Sequence, residues 1–193
     1  FKKKYPIKYY STCVYTGSLH SGKGIEIIIN LARKLPNIDF YVYGNINTAS
    51  INHINLCNSL SNIKLKGYLD YFKIPKVLKS HKIILMPYLD FTLGNHKTTN
   101  ISKFMSPLKL FDYLSAGRII IASKNKSYSH ILENKNNCLT CNPKNINEWV
   151  SKIRMVLAKN FKNANIQKNA LKTAKLYTWN LRVNKIVNFI GKK

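Results

Sequence analysis

Carboxylates are scarce in this chain. Asp and Glu together number 7 against 32 Lys plus Arg, so the 193 residues carry a net charge of +25. A field of that sign attracts polyanions of several kinds: nucleic acid, an anionic membrane leaflet or a phosphorylated ligand. Arginine is scarce too, limited to Arg33, Arg118, Arg154 and Arg182. Nucleic-acid readers lean on the bidentate guanidinium, which counts against that class of partner. A generally basic surface and a selected binding face both stay open. The four cysteines, Cys13, Cys57, Cys138 and Cys141, form no framework. Cys138 and Cys141 have the spacing of half a zinc site or a redox pair, but no second ligand pair lies nearby, and the four read as reduced thiols of a cytoplasmic protein. No apolar run reaches the roughly 18 residues of a membrane span, and no secretory signal is visible.

What is present suits one core. At 45% hydrophobic residues the chain can bury a sizeable interior, and it is too short for two full Rossmann-type domains. Residues 1–10, which open on Phe1 rather than Met, read as a linker or tail, and 11–193 as one domain. From Cys13 onward strand and helix patterns alternate. Strands are expected at 13–16, 39–43, 63–67, 81–87, 118–123 and 137–141, and helices at 24–35, 49–60, 74–79, 107–116 and 128–133, with two or three more across 146–158, 163–177 and 181–190. This alternation predicts an α/β fold, a Rossmann-like three-layer sandwich whose mostly parallel sheet of about six strands is covered on both faces. Ligands of such sheets sit at the carboxyl ends of the strands. The loops at 17–24, 44–48, 67–73, 88–106 and 123–127 therefore matter most. The long polar stretch at 90–105, which holds Lys97 and Lys103, is of a length more often functional than decorative.

Chemistry concentrates in two segments. Gly17-Ser-Leu-His-Ser-Gly-Lys-Gly24 joins a strand to a helix. Amides in a glycine loop and at a helix start make a concave positive site, to which Lys23 adds a mobile charge. The spacing follows the phosphate-binding loop of nucleotide triphosphatases until its last position, where a magnesium-binding hydroxyl is replaced by Gly24. No acidic residue ends an apolar strand as a second magnesium ligand would, so metal-free diphosphate binding is the expectation. A plain turn with a solvated lysine is the alternative. The second segment is Ser106-Pro-Leu-Lys-Leu-Phe-Asp-Tyr-Leu-Ser-Ala-Gly117, expected as a helix with Ser106 as its N-cap and Pro107 at its first position. Lys109, Asp112 and Ala116 share one face. Asp112 is placed to accept bonds from ribose hydroxyls, or to form a surface ion pair with Lys109.

Together these segments, with Leu35-Pro-Asn-Ile-Asp-Phe-Tyr-Val-Tyr-Gly44, Lys64-Leu-Lys-Gly67, Ile84-Leu-Met-Pro-Tyr88 and Tyr177-Thr-Trp179, resemble the C-terminal, nucleotide-sugar-binding domain of family 4 glycosyltransferases of the GT-B fold. The resemblance covers nearly the whole chain and is most specific in the Ser106–Gly117 run. It implies that 11–193 is a nucleotide-sugar-binding domain, with the N-terminal acceptor domain absent. It implies further that Lys23 meets the donor phosphates, that Asp112 binds the ribose as the second acid of the family's paired-glutamate motif, and that Leu108 and its neighbours offer amides to the diphosphate. Gly17, Ser18, Tyr88, Ser106, Pro107 and Lys109 complete the expected contacts. Lys23 and Asp112 are the residues expected to act in transfer. The reaction implied is retaining transfer from a UDP- or GDP-linked sugar to a glycan or lipid-linked acceptor, without a divalent metal. Three positions depart from the family: Ser18 stands where many members carry arginine, Phe104 where the first glutamate falls, and Asp112 shortens the second glutamate. Lys97, Lys103 or Lys109 is then expected to supply the missing phosphate charge.

A non-catalytic basic module that binds nucleic acid or an anionic membrane is the competing class. Lys76, Lys79 and Lys82, with the lysines of the last helices, could form such a face, and a transferase peripheral on the cytoplasmic membrane face would use the same lysines. His20 is a possible phosphate contact or merely exposed, and the other histidines show no ligand spacing. Trp149 and Trp179 are expected as packing anchors in helices, and the 12 tyrosines do not cluster as an oligonucleotide-binding stripe.

Overall fold

The apolar residues of the strands divide by parity, as the two-residue period of an extended chain dictates. The structure, a computed structural model, describes residues 12–92, 100, 102, 104–162 and 164–191. Strands β1 (Thr12–Thr16), β2 (Asp39–Tyr43), β3 (Ile63–Gly67), β4 (Ile83–Met86), β5 (Ile119–Ser123) and β6 (Leu139–Cys141) form one parallel sheet in the order β3-β2-β1-β4-β5-β6. Cys13 and Tyr15 of β1, Ile83 and Leu85 of β4, and Ile119 and Ile121 of β5 turn to one core. Val14, Ile84, Met86, Ile120 and Ala122 turn to the other. β4 is buried along its whole length and β5 likewise, as expected of parallel strands covered on both sides.

Helices α1 (Ile25–Lys34), α2 (Ile51–Asn58) and α5 (Ile146–Leu157) cover the first face, and α3 (Ile74–Ser80), α4 (Lys109–Ser115) and α6 (Ala164–Lys175) the second. Each follows from its spacing. In α1 the buried residues include Ile25, Ile28, Ile29 and Ala32, one apolar stripe at helical period. Asn62, buried beneath its end, donates from Nδ2 to the carbonyls of Ala32, Leu35 and Ile38. Ala32 lies in the last turn of α1, where carbonyls lack intrahelical partners, and Leu35 and Ile38 lead on to β2, so one amide ties the helix end to the start of the next strand. The expected three-layer α/β sandwich is the observed fold.

Three local expectations are corrected. The stretch at 128–133 is a sequence of turns, closed by N–H groups of Ile131 and Leu132 on the Tyr128 carbonyl, and not a helix. Ser106 does not cap α4. The first bonds of that region run from Leu110 to Pro107 at 3.0 Å and from Phe111 to Leu108 at 3.1 Å, a three-residue spacing that makes a tight turn and moves the first α-helical residue to Lys109. Trp149 is the packing anchor expected, fully buried with its indole N–H on the Asn142 carbonyl at 3.0 Å. Trp179 is not: it opens α7 (Trp179–Ile190) and is 69% exposed, because no layer of the described residues lies against that helix.

His81 sits just before β4, buried, 2.9 Å from Thr12 Oγ1 and tilted against Tyr41 with ring centroids 4.7 Å apart. Burial lowers its pKa from the ordinary 6.5 to about 4. The folded chain therefore holds His81 neutral while the unfolded chain protonates it first. The stability this contributes is present above pH 6.5 and is lost as pH falls toward 4, on the order of 3 kcal/mol. Urea unfolding at pH 7 and pH 4.5 should show the loss, and His81→Gln should remove most of the difference. An unchanged pH dependence in that variant would assign the acid sensitivity to other groups.

Candidate functional site

The chain leaves β1 toward β2 and β3, then returns to the opposite side of β1 as β4. That reversal makes the β1/β4 boundary the switch point, where the two following loops diverge and leave a crevice. Pairing reflects it. β1 follows β2 as far as Thr16 opposite Tyr43, but its register with β4 ends at Val14 opposite Ile84. Beyond Val14 the strands have separated.

The glycine loop occupies one side of the opening. Glu26, in the first turn of α1, accepts from the Gly22 N–H at 3.1 Å and from Ser21 Oγ at 3.1 Å, so the loop is folded back on its own helix. It also lies against the segment after β4. The Gly22 carbonyl accepts from Leu89 N–H at 3.0 Å and from Thr92 Oγ1 at 3.1 Å. Gly24 has φ +105, and a Cβ there would strike the Pro87 carbonyl. The predicted phosphate loop is thus held at its helix end by close backbone approaches at Gly22 and Gly24 that a Cβ would block.

The second segment reaches the same opening from the far side. Tyr113 of α4 accepts from the Thr16 N–H at 3.1 Å and donates to the Thr16 carbonyl at 2.9 Å, both bonds buried. One turn earlier, Lys109 Nζ donates to Tyr15 Oη at 3.1 Å and stands 4.3 Å from the Tyr15 ring centroid and 5.2 Å from that of Tyr88. Lys23 Nζ lies 5.3 Å from the same Tyr88 ring. Two ammonium groups from separate motifs therefore flank one aromatic ring. Gly17 has no side chain to obstruct them: a Cβ there would run into Lys109 Nζ.

The electrostatics follow from this crowding. Burial, and next the Lys23 charge, lower the Lys109 pKa to about 7. Burial also lowers Lys23. Asp112, half-buried, has its carboxyl raised by burial and makes no ion pair among the described residues. The surface pair of Lys109 with Asp112 is therefore not formed: Lys109 turns to Tyr15 instead. Leu108 stands 66% exposed at the start of α4 beside exposed Ser106, and Phe104 is 85% exposed. Ser18 is partly exposed, with its carbonyl bonded to Tyr15 Oη at 2.6 Å. His20 is partly exposed. Lys97 and Lys103 lie outside the described residues.

Sequence reasoning missed Tyr15, Tyr113 and Glu26, which fix the site without facing a ligand. The signal available for the tyrosines was an aromatic with a polar tip in a buried strand and on a buried helix face, where the hydroxyl needs a partner. All four cysteine thiols are buried and free, with pKa values raised by burial. Among the described residues no three His, Cys, Asp or Glu side chains group as metal ligands, and no helix is long and apolar enough to cross a membrane. A separate cleft of about 560 Å³, lined by Ser123, Lys124 and Thr140 among others, opens at β5 and β6, and none of the site residues line it.

A family model described as glycosyl transferase-like matches residues 24–188. No curated protein matches the chain. Similar solved structures include a glycosyltransferase from Rickettsia africae ESF-5, with TM-score 0.70 at 16% identity over 92% of this chain and 46% of that one. Anabaena HepE in complex with UDP-glucose gives 0.76 at 15% identity over 94% and 49%. The C-terminal domain of a glycosyl transferase group 1 family protein, LpcC of Francisella tularensis, gives 0.63 at 19% identity over 90% and 87%. The chain thus spans about half the length of the first two and most of the isolated domain, and the fold is that of the C-terminal domain of GT-B proteins.

The glycine loop generates a stability contrast. Gly24→Ala should cost roughly 2 kcal/mol or more, since both the left-handed backbone and the contact with Pro87 oppose a Cβ. Gly67→Ala, at φ +70 but in open space, should cost about 1 kcal/mol from backbone strain alone. Equal losses in urea unfolding would mean that the approach of the two loops is not what selects glycine at 24.

Proposed function

The chain belongs to the glycosyl transferase-like family, and from that premise we propose that residues 11–193 form the donor-binding half of a family 4 glycosyltransferase, with 1–10 as linker. The observation that carries the reading is the convergence of Lys23 and Lys109 on the Tyr88 ring at the switch point of the sheet. Two amines partly withdrawn from water are suited to one compact, doubly charged group. The diphosphate of a UDP- or GDP-linked sugar is such a group. UDP is the first choice, since HepE has been solved with UDP-glucose.

In the proposed reaction the bond from the sugar's anomeric carbon to the diphosphate oxygen breaks, and the electron pair leaves with the nucleotide. Charge grows on the departing phosphate, where Lys23 and Lys109 meet it, aided by the amides at 108 and 109 that precede the helical bonds of α4. The two lysines then do the work of a divalent cation. Asp112 accepts from the ribose hydroxyls. Gly17 and Ser18 line the glycine-loop side, with Tyr88 between the lysines and Ser106 and Pro107 at the approach to α4. The acceptor, a glycan or a lipid-linked sugar, attacks with retention at the anomeric carbon, and the acceptor site belongs to an N-terminal domain. A place on the cytoplasmic face of a membrane suits the same reading: no acidic residue follows Glu148, while α7 exposes Trp179, Val183, Ile186 and Phe189.

Calorimetric titration with UDP and GDP at moderate salt, without metal, tests the proposal. One nucleotide should bind saturably, and Lys23→Ala and Asp112→Ala should each weaken it about tenfold or more. A folded chain that binds neither nucleotide would sink the reading and bring forward the basic surface module. The pH dependence has a definite sign. Only protonated Lys109 meets the phosphate, and its pKa in the free chain is about 7. Affinity should therefore fall from pH 7 to pH 9, a range in which the phosphate is already largely ionised and gains only a little further negative charge.

A further inference from the structure

Tyr15 is buried inside β1, 2% exposed, yet its hydroxyl emerges between the two motifs of the site. The direction of its bonds is forced. The Ser18 carbonyl can only accept, so the phenolic proton goes there, at 2.6 Å. The Lys109 ammonium can only donate, so it gives a proton to the lone pairs left on Tyr15 Oη, at 3.1 Å. The result is a chain, Lys109 to Tyr15 to Ser18, that joins α4 to the glycine loop through one oxygen. The ring beneath adds to the hold, with the ammonium 4.3 Å from its centroid. Tyr15 Oη is the single side-chain acceptor that Lys109 has among the described residues. The charged and titratable groups around the amine and the phenol it bonds are Lys23 and Glu26 on the glycine-loop side, Tyr88 after β4, and Tyr113 on α4.

A lysine side chain has about four rotatable bonds and a strong preference for water. Without an acceptor, a desolvated ammonium at this place would swing into the open mouth of the crevice. We propose that Tyr15 is a positioning residue of the anion site: its hydroxyl keeps the Lys109 ammonium against the glycine loop, so that Lys109 and Lys23 meet one diphosphate from two motifs. The inference rests on the donor-site reading for its ligand, but the placement of Lys109 can be tested without any ligand.

The test combines nuclear magnetic resonance of the free chain with binding. With 13C-labelled lysine and tyrosine, the Lys109 Cε signal, assigned by its loss in Lys109→Met, should titrate with a midpoint near 7. The Tyr15 Cζ signal should follow the same midpoint, because its oxygen accepts from that amine. In Tyr15→Phe, which keeps the ring, the amine should be released to water and its midpoint should rise by about one unit or more. UDP affinity at pH 7 should drop about tenfold, and its decline between pH 7 and pH 9 should flatten. A Lys109 midpoint that stays or falls in Tyr15→Phe would mean that packing alone holds the amine, and would overturn the proposal. So would a Tyr15 signal in the unaltered chain that ignores the Lys109 titration, a result independent of how well any variant folds. If the unaltered chain binds no UDP while both signals behave as expected, the donor-site reading fails and the role of Tyr15 in placing Lys109 stands.

Discussion

Where β1 parts from β4, the sheet leaves a backbone N–H and C=O of Thr16 facing a strand that is no longer there. Buried groups of that kind must find partners or cost about 1–3 kcal/mol each. Tyr113 supplies both, accepting from one and donating to the other through a single phenolic oxygen. This closure fixes α4 against the carboxyl end of β1, and everything else at the site follows from it. Lys109 lies one turn before Tyr113 on the same helix and so arrives above Tyr15. Asp112, the residue before Tyr113, is carried to the half-buried rim. The separation of strands that creates a crevice is thus also what anchors the helix that furnishes it.

Much of this architecture was legible in the sequence because its signals are local. The short unbroken apolar runs in Ile83–Met86 and Ile119–Ser123, and the stripe in α1, can be read within a single window. The glycine loop was legible for a similar reason: Gly17, Gly22 and Gly24 all have positive φ, a demand few other residues meet. Failures came where a neighbour decides. Ser106 has the chemistry of a cap, but Pro107 and Leu108 enter a three-residue turn first, and no preference of serine reveals that. The 128–133 stretch buries Tyr128, Ile131 and Leu132 at helical spacing, yet is turned rather than wound, with the Tyr128 hydroxyl on the Ser123 carbonyl. Trp179 lies in the expected helix, but whether a helix face is covered depends on what lies opposite it. The link from Tyr15 to Lys109 joins positions 94 apart, which no window on the sequence spans.

The charge of the chain acts at two ranges. A net +25 raises the local concentration of any anion and cannot by itself distinguish a nucleotide from a phospholipid. Discrimination needs charges whose surroundings differ from those of a surface lysine. Lys23 and Lys109 meet that condition, since both have pKa values lowered by burial and the Lys23 charge lowers Lys109 further beside Tyr88. An anion placed between them offsets the repulsion and favours the charged form of both. Surface lysines gain far less from the same encounter, because water already screens them.

The scarcity of carboxylates bears on this last step. Described acids that form ion pairs engage neither Lys23 nor Lys109: Glu148 pairs with Lys124 and Lys152, and Asp90 with Lys144. Glu26, nearest the glycine loop, spends its Oε1 on the Gly22 amide and the Ser21 hydroxyl. Asp112 shares a helix with Lys109, three residues on, yet the amine turns the other way to a neutral phenol. A carboxylate in that place would hold Lys109 charged at all ordinary pH and would have to be displaced by any incoming anion. A tyrosine hydroxyl orients the same amine without neutralising it. The positive charge stays available, at the cost of a lowered pKa, and an anion of sufficient charge density restores that pKa when it binds.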